Sequence, residues 1–187
     1  MSRRKLITIV ALAAVLGLSG CNTQMTLSNR PDPENFQPIL FAGTTGEHFG
    51  TLAFDSPGEM QDEEYEIVKI DFFATVFADT LYFTSDYDLE VDLYLGLDDS
   101  PASIDDPDVS EYITTVRIEA QGERYLIESH DPKLIHQAVR QKQFFLKGVV
   151  RLTSTEIVAG RVRIDDVYFE AWLERDTSGL IPFLYLF

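Results

Sequence analysis

EIVKIDFFATVFA, residues 66 to 78, changes character at every second position. Val68, Ile70, Phe72, Ala74 and Val76 fall on one side, with Lys69, Asp71, Phe73 and Thr75 on the other. Successive side chains of an extended chain point to opposite faces, so this pattern predicts a strand with one dry side. LEVDLYLGL, residues 89 to 97, repeats the pattern more cleanly. Leu89, Val91, Leu93, Leu95 and Leu97 stand against Glu90, Asp92, Tyr94 and Gly96.

Outward from these two runs the same period continues. Further strands are expected at about 49–54, 80–84, 111–120, 123–129, 143–152 and 161–174. In the last of these the apolar set changes phase at Asp165-Asp166, from Val162 and Ile164 to Val167, Phe169, Ala171 and Leu173, which predicts a bulge. One helix interrupts the series near 131–140: Asp131 is placed to cap it, Pro132 suits its first turn, and Leu134, Ile135, Ala138 and Val139 form an apolar stripe. GLDDSPASIDDPDVSE, residues 96–111, carries acids and two prolines between strands and reads as an exposed loop. The expected fold is all-β and mainly antiparallel, a β-sandwich or small barrel-like fold of about eight strands with one short helix.

The chain has 187 residues and a formal net charge of −16, and 45% of its residues are apolar. That apolar content is enough for a packed core and argues against disorder. So acidic a surface repels phosphate backbones and anionic headgroups, so neither nucleic-acid binding nor electrostatic adhesion to a membrane is expected.

Attachment to a membrane is expected by another route. MSRRK precedes the uncharged run LITIVALAAVLGL, which is too short to span a bilayer and has the layout of a secretory signal peptide. It ends in Leu18-Ser19-Gly20-Cys21, and this tetrapeptide resembles the lipobox of bacterial lipoproteins. The resemblance implies cleavage before Cys21, a diacylglyceryl group on its thiol and acylation of the new amino terminus. A covalent lipid also accounts for the lone cysteine of an exported chain, which has no disulfide partner. Asn22 follows, where Asp in enterobacterial lipoproteins resembles an inner-membrane retention signal, so the outer membrane is the expected address. On this reading residues 1–20 are the signal, 21–38 a lipid-modified polar tether, and 39–187 a single β-rich domain.

Site chemistry is sparser. Asp98, Asp99, Asp105, Asp106 and Asp108 supply the hard oxygen ligands that Ca²⁺ takes, without the spacing of an EF-hand; the alternative is a solvated acidic loop. No other cofactor is expected. His48, His130 and His136 lack the spacing that puts two ligands on one helical face. No Gly-x-Ser-x-Gly, Ser-x-x-Lys or phosphate-cradling glycine loop occurs. In GLIPFLYLF, residues 179–187, Ile181, Phe183, Tyr185 and Phe187 alternate. The ending resembles the closing signal of outer-membrane β-barrel proteins, but Pro182 interrupts it, and a strap packed on the sandwich or a docking patch for a partner fits the same residues. Three functions follow as expectations: a lipid-anchored envelope protein that binds or scaffolds a protein, glycan or peptidoglycan partner without catalysis; an envelope hydrolase using carboxylates such as Asp86, Asp88 or Glu90; or a carrier of a small apolar ligand within the strands.

Overall fold

The computed structural model describes residues 22–29, 37–56, 58–82 and 86–176. Leu18, Ser19, Gly20, Cys21 and the aromatic residues Phe183, Tyr185 and Phe187 lie outside the described residues. The chain forms β1 (Asn22–Asn29), β2 (Ile39–Asp55), β3 (Glu66–Tyr82), β4 (Tyr87–Gly96), β5 (Ser110–Arg117), β6 (Tyr125–His130) and β7 (Gln143–Asp176). A one-turn helix α1 (Gly58–Gln61) follows β2, and α2 (Lys133–Ala138) precedes β7. Every strand pair is antiparallel, so the all-β antiparallel expectation holds.

β7 organises the rest. One of its edges pairs with β2 and then β1, the other with β4 and then β3; β5 extends β4, and β6 extends β3. The chain thus makes four long ribbons, β1 with β2, β3 with β4, β5 with β6, and β7, lying in the spatial order first, fourth, second, third. They fold in half. The rings of Phe144 and Phe169, both on β7, have centroids 5.0 Å apart, although the strand between them would span roughly 80 Å if straight. Folding gives two facing layers, β1-β7-β3-β6 and β2-β7-β4-β5, the connectivity of a jelly roll. The two strands expected at 143–152 and 161–174 are the two halves of β7.

At the fold, residues 154–157 of β7 oppose Thr44 alone, between the pairs Thr45 with Thr153 and Gly43 with Val158. Gly43 takes φ 142°, which L side chains rarely adopt. Between the layers Phe54 stacks on Phe144 at 5.2 Å and meets Phe169 edge-on at 5.0 Å, and Phe72 lies 5.3 Å from Phe169. The middle of the sandwich is filled: a Cβ added at Gly148 would lie 2.8 Å from Ile39 Cδ1 and 3.3 Å from Ile164 Cδ1. Burial of this apolar surface is the dominant stabilising contribution.

The bulge read from the sequence is present. Asp166 takes φ 51°, and the register passes from Phe73 with Tyr168 to Thr75 with Asp165. Elsewhere the structure differs from the expectations. Val68 leaves the inward set because β3 has its own bulge between Ile67 and Lys69; Ile67 packs on the core and Val68 is 49% exposed. The tether expected over 22–38 is strand β1 at 22–29, with Met25 and Leu27 turned to the core. Two apolar residues are a weak local signal, and their partners on β7 lie at the far end of the sequence. Asp131 does not cap α2. It takes φ 51°, accepts the Ile70 N–H at 3.2 Å and holds His136 Nε2 at 2.5 Å. The first amides of α2, on Lys133 and Leu134, donate instead to Glu111 of β5 at 3.0 and 2.5 Å.

Candidate functional site

The outer side of the β4–β5–β7 layer is roofed by the loop between β4 and β5. Lys147 follows Leu146 in β7 and therefore points outward, yet its side chain has no solvent exposure. Its three N–H donors are shared among four acceptors: Asp98 Oδ1 at 2.7 Å, the Ser100 carbonyl at 3.1 Å, Ser103 Oγ at 2.7 Å and Ser110 Oγ at 2.9 Å. A buried ammonium is tolerated only when paired and hydrogen-bonded, and this one ties the loop to the sheet in return. Gly96 makes the approach possible, since a Cβ there would fall 2.4 Å from Lys147 Cε. The hydrogen bond from Lys147 holds the Asp98 carboxyl below its ordinary range, with the bond from Ser103 adding to the effect.

Between this roof and α2 lies an open cleft of about 760 Å³. Tyr94 and Tyr112 stand at its floor, Ile104, Pro107 and Leu134 supply apolar wall, and Asp105, Asp108, Lys133 and Gln137 supply polar groups. The two tyrosine rings meet edge to face at 5.6 Å, and Tyr112 is 54% exposed. Behind them runs a fixed polar chain. Arg151 holds the buried carboxylate of Asp92 at 2.7 Å. Thr115 Oγ1 donates to Asp92 at 2.5 Å and lies 2.8 Å from the Tyr112 hydroxyl. Because Thr115 spends its single proton on Asp92, the Tyr112 hydroxyl is the donor to Thr115. Burial, with Asp92 adding, raises the Tyr94 phenol above its ordinary value, so it is a neutral donor near pH 7.

The five loop aspartates go to different places. Asp98 serves Lys147, Asp106 accepts the Asp108 N–H at 3.0 Å, Asp99 is exposed, and Asp105 and Asp108 line the cleft. Among the described residues no three His, Cys, Asp or Glu side chains group so as to hold a metal ion. His48 lies beside Phe41, His130 Nδ1 is 3.3 Å from Asp71 Oδ1, and His136 holds Asp131. Asp88 and Glu90 sit on Arg117 at 3.2 Å each, Glu90 also lies 3.6 Å from Arg151, and Asp86 gives its carbonyl to Ser154 Oγ. None of these three carboxylates lines the cleft. Sequence reading missed Tyr94, Tyr112 and Lys147 as site residues. Lys147 had a signal, a single cation inside the apolar run FFLKGVV.

The sequence matches no protein-family model, and no curated protein matches it. Three solved structures share parts of the shape. TmCBM61, solved with β-1,4-galactotriose, has a TM-score of 0.38 at 10% identity, covering 81% of this chain and 88% of its own. VP2 of infectious bursal disease virus has 0.37 at 10%, covering 82% and 37%. Latent PorU of Porphyromonas gingivalis has 0.32 at 8%, covering 83% and 13%. Likenesses this distant assign the chain to no family.

Proposed function

We propose that the chain is a lipid-anchored binding module of the bacterial cell envelope, that it has no catalytic role, and that its cleft takes an uncharged glycan strand. The observation that carries the reading is the pair of tyrosines on the cleft floor, Tyr112 half exposed and pinned through Thr115 to Asp92. A preorganised aromatic face loses little entropy on binding and stacks on the C–H face of a sugar ring. Around it stand the acceptors Asp105 and Asp108 and the donors Lys133 and Gln137, a mixture that hydroxyl groups can satisfy in both directions. The acidic wall disfavours anionic glycans. The lipobox motif supports the anchor, and Asn22 supports an outer-membrane address by the same resemblance. The filled centre of the sandwich favours a surface ligand over a carried one.

The test is a binding screen of the purified protein against uncharged hexose oligomers, soluble peptidoglycan fragments and sulfated oligomers, repeated with Tyr112→Ala. The reading expects binding confined to uncharged or weakly charged chains and an affinity loss of about tenfold or more in the variant, roughly 1.4 kcal/mol. Equal binding by the variant, or turnover of any oligomer, would reject it.

A further inference from the structure

Tyr112 and Thr115 are three positions apart on β5, a spacing that in a regular strand turns two side chains to opposite faces. Here they meet. Tyr94 faces Tyr112 and Leu93 faces Thr114, which leaves Ile113 as an extra residue and brings Tyr112 and Thr115 to the same outer side. Thr115 in turn faces Asp92 across the β4–β5 ladder.

Every proton along this chain has one place to go. Arg151 is a permanent cation that only donates, and its Nη2 lies 2.8 and 2.7 Å from the two oxygens of Asp92. Asp92 is 3% exposed, and as a carboxylate it only accepts. Thr115 gives Asp92 its hydroxyl proton at 2.5 Å, so Thr115 Oγ1 meets the Tyr112 hydroxyl at 2.8 Å as an acceptor. The phenol proton is thereby committed as well. A hydroxyl proton ordinarily rotates to suit its partner; the buried ion pair at the head of this chain removes that freedom. At the exposed end of the chain Tyr112 presents an oxygen with lone pairs only.

We infer that Tyr112 is a specificity-determining residue of the cleft: its oxygen accepts a hydrogen bond and cannot return one, so it selects ligands that place a hydroxyl donor against it. The inference rests on the glycan reading and sharpens it. A sugar hydroxyl meets the requirement, whereas an ether, carbonyl or carboxylate oxygen at the same point would set lone pair against lone pair. Thr115 and Asp92 do not line the cleft and act as positioning residues through Tyr112.

The test titrates the purified full chain with β-1,4-linked trimers of glucose, mannose and galactose, then with analogues of the tightest one in which each hydroxyl in turn is replaced by fluorine, which cannot donate. At one ring position the fluoro analogue should bind about tenfold more weakly than its parent. Thr115→Val frees the phenol proton, so that analogue should regain affinity while the parent keeps its own to within about twofold; Thr115→Ser should behave as the unchanged protein. Tyr112→Phe, at an exposed position, should bring the parent down to the level of the analogue. A cleft that was merely loosened would bind parent and analogue more weakly alike in Thr115→Val, and that result would overturn the inference. Fluoro analogues that all bind as well as the parent would overturn it too and leave the glycan reading standing. Binding of none of the three trimers would reject the glycan reading, and the inference with it.

Discussion

The two halves of β7 run the same alternation and put it to different use. In the first half the outward residues include Lys147 and Arg151, covered or crosslinked by a loop and a carboxylate network. In the second half they include Tyr168, Glu170 and Trp172, and Trp172 borders open space. The inward residues of both halves meet in one phenylalanine cluster. Alternation thus fixes which side of a strand is dry, whereas what happens on the wet side depends on the segments inserted between strands.

The comparison breaks most readily at what the halves share. Phe169 touches Phe54, Phe72 and Phe144, so Phe169→Ala should destabilise the fold by about 3–5 kcal/mol in chemical denaturation. An effect under about 1 kcal/mol would mean that the halves do not close on one core. The roofed half comes next. Lys147→Ala leaves buried Ser110 without its partner and should cost about 1–3 kcal/mol, with faster amide exchange across residues 97–109. On the open half, Glu170→Gln should stay within about 0.5 kcal/mol, because it is a surface position at which, among the described residues, no loop is tied.

The roof also predicts a pH effect. Asp98 has a lowered pKa in the folded protein, so its contribution is fully present above the ordinary value of 3.8 and is lost as pH falls through the lowered one. The effect is small, because the Asp98 side chain is 45% exposed. Acid titration of stability should flatten in Asp98→Asn over that window, and an unchanged titration would separate Asp98 from the tie to Lys147.

Much of this architecture was legible in the residues. The inward sets of β4 and β7, the bulge at Asp165-Asp166 and the stripe of α2 all follow from local periodicity, which a strand or helix imposes on any sequence that buries one side. β1 was not legible, since its two inward residues acquire meaning only beside β7. The nearest acid is not the cap on α2 because Glu111 reaches it through space, and the cleft is invisible in the sequence because Tyr94 and Tyr112 come together only when β4 and β5 pair with a bulge at Ile113. Local pattern reports burial; a binding site depends on neighbours distant in sequence.

The claim that the cleft is where this protein meets its ligand is tested most directly by hydrogen–deuterium exchange of the full chain, free and saturated with an oligosaccharide found in the binding screen. Protection concentrated at residues 103–112 and 133–138 is the predicted result. Protection concentrated instead at residues 66–73 and 168–174, or spread evenly over the sandwich, would contradict it.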